Sequence, residues 1–166
     1  MTEILRRAAQ QSYFWLWLLG LLLVVIIVVA QTHLWFLTQP FEFAWQVILG
    51  SLLLITILFQ YVLLFVRHNK MTQQIKPQLA YHRWAGCIAT LLFALHAARM
   101  GHAWTMILSI IFILTAITGM FHKEVMRYQT RGAYLIWLAV HLILAAALVP
   151  LIGLHVWVAL SYQGAG

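Results

Sequence analysis

Acidic residues are nearly missing from this chain. Among its 166 residues there are three, Glu3, Glu42 and Glu124, and no aspartate. A proton or substrate path through a membrane normally recruits buried Asp or Glu; these three fall at chain ends or in predicted loops, so such a path has little to build on. Cysteine is equally scarce. Cys87 stands alone, which excludes an internal disulfide and leaves no thiolate cluster for zinc or iron–sulfur chemistry. Charge of either sign amounts to 8% of residues, against about 25% in an average globular chain. No soluble catalytic domain fits that composition, and no G-x-G-x-x-G pattern appears in a strand–helix context. Proline occurs three times: Pro40 in the first predicted connection, Pro77 leading into the third apolar run, and Pro150 inside the last.

What fills the chain instead is hydrophobic: 64% of residues, in apolar runs of spanning length. The expected fold is therefore all-α, a polytopic membrane bundle forming one domain over 1–166. Five spans are predicted, at Ser12–Leu37, Ala44–Val66, Leu79–Met100, Ala103–Phe121 and Gly132–Tyr162. Each is long enough for the ~30 Å hydrocarbon core at about 1.5 Å per residue. The basic lead Met1–Gln11 resembles the start of a signal peptide, but the following run exceeds an h-region and lacks an A-x-A site. It reads as span one.

The net charge of +7 points to topology rather than nucleic acid. With the N-terminus in the cytoplasm, nine of the ten lysines and arginines fall on the inner side, and Arg99 alone falls outside. That is a strong positive-inside bias. Trp15, Trp17 and Trp84 at inner span ends, with Trp35, Trp45, Trp104 and Trp157 at outer ends, read as an aromatic belt.

Against this background two segments stand out. HRWAGCIATLLFALH (82–96) in span three and HLILAAALVPLIGLH (141–155) in span five have equal length and a histidine at each end. Fourteen steps of about 100° bring both histidines of a helix to nearly one face, ~21 Å apart along the axis. Spans three and five run in the same direction, so His82 lies level with His141 and His96 with His155. Imidazole is a common axial ligand of haem iron. Two facing pairs stacked across the bilayer predict two bis-histidine b haems between helices three and five. A closed zinc site is excluded within either helix by the four-turn separation. Taken singly, each histidine has an ordinary alternative as a helix–helix hydrogen-bonding group.

Supporting residues are less specific. Gly86 and Ala145–Ala147 remove bulk near His82 and His141, as a flat macrocycle or ordinary helix packing requires. Arg83 and Arg99 follow ligand histidines near opposite interfaces, where propionates would meet a guanidinium; topology alone explains Arg83, and Arg99 is the stronger candidate. His33, His68, His102 and His122 fall at the interfaces as solvated histidines or quinone partners, and His122 is the foremost candidate for a quinone site.

With HRWAG opening span three and four histidines on spans three and five, nearly the whole chain resembles the ferric-reductase-like transmembrane domain. That group includes NADPH oxidases, ferric reductases and the haem-binding subunit of the bacterial methionine sulfoxide reductase system; the wider di-haem cytochrome b family shares the spacing. The resemblance implies an inner haem on His82 and His141 and an outer haem on His96 and His155. It implies an electron-transfer subunit of an oxidoreductase complex in the bacterial inner membrane. The implied partners are a flavoprotein, a cytochrome c, another redox subunit or the quinone pool, besides the lipid bilayer itself. Members commonly have a sixth span, and the oxidases add a flavin and nicotinamide domain; neither pattern is found here. Two other classes compete: a non-haem structural or assembly subunit of a respiratory complex, and a small histidine-relay transporter.

Overall fold

The computed structural model describes residues 2–11, 13–33, 43–97 and 103–161, and every regular element among them is an α-helix. In chain order these are α1 (Thr2–Ala9), α2 (Phe14–His33), α3 (Phe43–Gln60), α4 (Val62–His68), α5 (Thr72–His96), α6 (Ala103–Met120), α7 (Lys123–Met126) and α8 (Arg131–Ser161). Arg99 and His102 lie outside the described residues, as do Trp35, Pro40 and Glu42.

The expected all-helical class holds, and the spans require refinement. The basic lead folds as a helix of its own, α1, in which Glu3 pairs with Arg6 at 2.8 Å and Arg7 at 3.0 Å, one turn away. The Arg6 hydrogen bond, aided by Arg7, holds the Glu3 carboxyl below its ordinary range. Span two divides at Tyr61, whose N–H donates to the Leu58 carbonyl at 3.1 Å, a tightened i−3 turn that lets the helix continue into α4. The α4 end closes by a Schellman arrangement, Met71 N–H to Val66 O and Lys70 N–H to Arg67 O. It places Lys70 at φ 53°, a left-handed position that glycine usually occupies. Span three begins earlier than expected: α5 starts at Thr72 and carries Pro77 inside its second turn. As the sixth helical residue, Pro77 has no N–H to offer the Gln73 carbonyl, so the helix forgoes one interior bond there. Pro150 likewise lies within α8, a single helix of 31 residues.

Two helical stretches are long and apolar enough to cross a membrane, Ala44–His68 and Arg131–Ser161; Phe14–Ile27 and Trp104–Met120 are shorter apolar helices. Although α5 has 25 residues, it carries Lys76, His82, Arg83 and His96, polar groups that lower its hydropathy. Side chains on α8 point largely outward: Ile136, Ile143 and Trp157 are 69%, 67% and 67% exposed, and Leu148 is the buried one.

The described residues form two compact units, one up to residue 97 and the other from 103 onward. In the first, α5 is central, with both α2 and α3 packed on it. Tyr13 meets Trp84 edge-on at 6.5 Å and Gly20 meets Thr90, so α2 runs alongside α5 in the same direction. Gln60 meets His82, and Gly50 meets His96, so α3 runs opposite to it. The α2–α5 approach is close because both partners are small. A Cβ at Gly20 would come within 3.0 Å of Thr90 Cγ2 and 3.3 Å of the Leu91 backbone nitrogen. Gly20→Val is therefore expected to destabilise this unit by about 1–3 kcal/mol, the usual cost of overpacking; thermal unfolding in detergent, compared with Leu19→Val on the exposed face, measures it. In the second unit α6 and α8 pack antiparallel, Thr118 meeting Trp137 and His141 while Trp104 meets His155.

Candidate functional site

The four histidines of the 82–96 and 141–155 segments occupy four positions of related design. Each is half-buried, and each lies on the face of its helix that packs against a neighbour in the same unit. On α5, both His82 and His96 meet α3; on α8, both His141 and His155 meet α6. The fourteen-residue interval does locally what helix geometry requires, returning both rings to one side after nearly four turns.

His82 has its Nδ1 3.3 Å from the backbone carbonyl of Gln60. The Gln60 amide, oriented to satisfy both its ends, donates from Nε2 to the His82 carbonyl at 3.0 Å and to its Nδ1 at 2.6 Å, and accepts the Gly86 N–H at 2.7 Å. Gly86 therefore faces a polar side chain from α3, and a Cβ there would sit 3.7 Å from it, an ordinary contact. At the other end of α5 the His96 ring lies directly on Gly50. A Cβ at that glycine would stand 2.9 Å from His96 Cε1 and 3.4 Å from either ring nitrogen.

His141 is held from several sides. Its Nδ1 lies 2.9 Å from Thr118 Oγ1, and that hydroxyl donates to the Thr115 carbonyl at 3.0 Å. Trp137, one turn earlier on α8, stacks on the imidazole at 5.9 Å and 7°, and its Nε1 donates to the Thr118 carbonyl at 2.8 Å. Across from the ring lies Gly119, where a Cβ would approach Cε1 to 3.4 Å. Beyond Trp137 the aromatic contacts continue to Tyr134 at 5.7 Å and Tyr128 at 5.9 Å. At the opposite end of α8 His155 meets the Trp104 ring at 5.3 Å.

Other expected residues fall elsewhere. Arg83 places its guanidinium 5.9 Å from the centre of the Tyr13 ring. His122 is buried at the start of α7, where Nδ1 accepts the Glu124 N–H at 3.2 Å and so caps the helix. Arg99 lies outside the described residues. Among the described residues no three His, Cys, Asp or Glu side chains gather into a metal cluster.

Sequence reasoning does not name five participants: Gln60, Gly50, Thr118, Gly119 and Trp137. A signal did exist for the two glycines. They fall in otherwise bulky apolar spans flanking the histidine helices, where small residues mark close helix contacts. Nothing in the sequence distinguishes Thr118 from Thr115; Trp137 does stand four residues before His141, the spacing that brings side chains together on one helix face.

Comparison with protein-family models, with curated proteins and with solved structures finds no match for this chain.

Proposed function

We propose that this chain is a membrane-embedded electron-transfer subunit holding two b-type haems by axial histidines, His82 with His141 and His96 with His155. The observation that carries the reading is the repeated fourteen-residue histidine interval, joined to the packing of all four rings. A ring that merely fills an apolar core has no need of a glycine opposite, yet His96 and His141 each have one. Nor does it need a hydroxyl oxygen at Nδ1, which His141 has from Thr118. Metal-ligating histidines commonly pair the second ring nitrogen with such a group.

Bound haem would supply one-electron transfer at iron, and His82, His141, His96 and His155 are the residues that would hold it. The protein's residues bind and orient. Small residues at Gly50 and Gly119 give the ligand rings space, and Gln60 and Thr118 fix the planes of His82 and His141. Arg83 and Arg99 are the proposed partners of propionates. His122 is a proposed quinone contact, acting through Nε2–H, since its Nδ1 accepts a backbone N–H.

Five membrane spans with the N-terminus inside accompany this reading. Support comes from the positive-inside bias and from the outward-facing Ile136, Ile143 and Trp157, which lipid would cover. A redox partner at each face, flavoprotein or quinone pool on one and cytochrome c or another redox subunit on the other, would deliver and remove electrons. The experiment is direct: the purified full-length chain is expected to carry two b haems per polypeptide, read by pyridine haemochrome assay against protein mass. A folded, helical and colourless preparation from haem-replete cells overturns the proposal.

A further inference from the structure

Thr118 has one hydroxyl proton and two polar neighbours. The Thr115 carbonyl, 3.0 Å away, can only accept, so it takes that proton. The Thr118 oxygen then faces His141 Nδ1 at 2.9 Å with lone pairs. That oxygen accepts an N–H from Nδ1, which puts the imidazole lone pair on Nε2. Trp137 secures the same ring from another side: it stacks nearly parallel on it and is itself tied to the Thr118 carbonyl at 2.8 Å. One residue of α6 thus holds both the proton position and, through Trp137, the plane of His141.

We propose that Thr118 is a positioning residue that locks His141 as the Nδ1–H tautomer, presents Nε2 to iron and lowers the reduction potential of the haem bound there. The inference rests on the two-haem reading for the potential, and on geometry alone for the tautomer. The sign follows from charge. An acceptor at Nδ1–H pushes electron density into the ring and raises its basicity as a ligand. A more basic ligand favours the oxidised, more positive iron, so the potential falls. Removing the acceptor raises it.

The test uses the full-length chain in detergent, as wild type, Thr118→Val and Thr118→Ser. Valine keeps the shape and loses the oxygen; serine keeps the oxygen. In redox titrations of haem-loaded protein, Thr118→Val is expected to move one of two midpoints upward by about tenfold in the oxidised-to-reduced equilibrium, about 59 mV for one electron. Thr118→Ser is expected to restore it, and the other midpoint stays put. In chain produced without haem, 15N NMR of the imidazole signal that disappears in His141→Ala is expected to show the Nδ1–H form. Two unmoved midpoints in Thr118→Val, or a downward shift, overturn the role in setting potential; an Nε2–H signal in wild type overturns the tautomer lock. If the wild type carries no haem, the two-haem reading falls by itself, and the 15N spectrum still decides what Thr118 does.

Discussion

His141→Ala is expected to halve the haem content of the purified chain, from two per polypeptide to one. His141 is the ring with the most specific surroundings, so its loss leaves the largest local deficit. Thr118 Oγ1 and the face of Trp137 both lose their partner. Thr118 keeps its bond to the Thr115 carbonyl, so the lost hydrogen bond costs about 0.5–1.5 kcal/mol, enough to lower unfolding temperature and too little to unfold the helix pair. The second histidine of α8, His155, lies fourteen residues on, ~21 Å along the helix axis. Effects at sites more than about 7–10 Å apart without shared partners are nearly independent. The haem assigned to His96 and His155 is therefore expected to remain, with its own midpoint and reduced absorption band unchanged. Pyridine haemochrome quantitation and a redox titration check both halves of this expectation. Retention of both haems in His141→Ala breaks the assigned pairing.

Gly50→Val is expected to remove the other haem. The first added carbon already stands 2.9 Å from His96 Cε1, closer than real Cβ contacts allow, and 3.4 Å from both ring nitrogens, and valine adds two methyl groups beyond it. An imidazole is rigid and attached through two torsions, so the ring must swing off α3 rather than yield at its tip. The helix itself does not suffer from the exchange, because glycine is the poorer helix former by several tenths of a kcal/mol. Circular dichroism should therefore stay unchanged while haem per chain falls to one. Gly50→Ala, with a single carbon, is expected to lose part of the same haem. A Gly50→Val protein that retains two haems with unshifted midpoints removes His96 from the ligand set.

The same two residues show where sequence reasoning ends. His141 was legible because its spacing repeats that of His82 and His96, and periodicity is a property of one helix. Gly50 was not, because its meaning lies in which ring sits opposite, and that depends on the register between α3 and α5. Tyr61 is a similar case: nothing in an unbroken apolar run announces the i−3 bond to Leu58 that divides α3 from α4. Trp104 reads in the sequence as part of an interfacial belt, and tertiary packing brings it against His155. Pro77 reads as leading into its helix and lies inside it, at the sixth helical position, at the cost of the N–H that would have met the Gln73 carbonyl.

Composition alone determined that this protein is helical and apolar, because a chain with three acids and 64% hydrophobic residues has few other ways to satisfy its backbone away from water. Spacing alone determined that two pairs of histidines return to one face of their helices, because the helical repeat is set by backbone hydrogen bonds and does not depend on neighbours. Only the tertiary structure decided what those rings touch. Gln60 at His82, Gly50 at His96, Thr118 at His141 and Trp104 at His155 all come from another helix, far from their partners in sequence. The physical reason is that hydrogen bonds and ring contacts act over a few ångströms, a scale that helix packing sets and sequence periodicity does not reach.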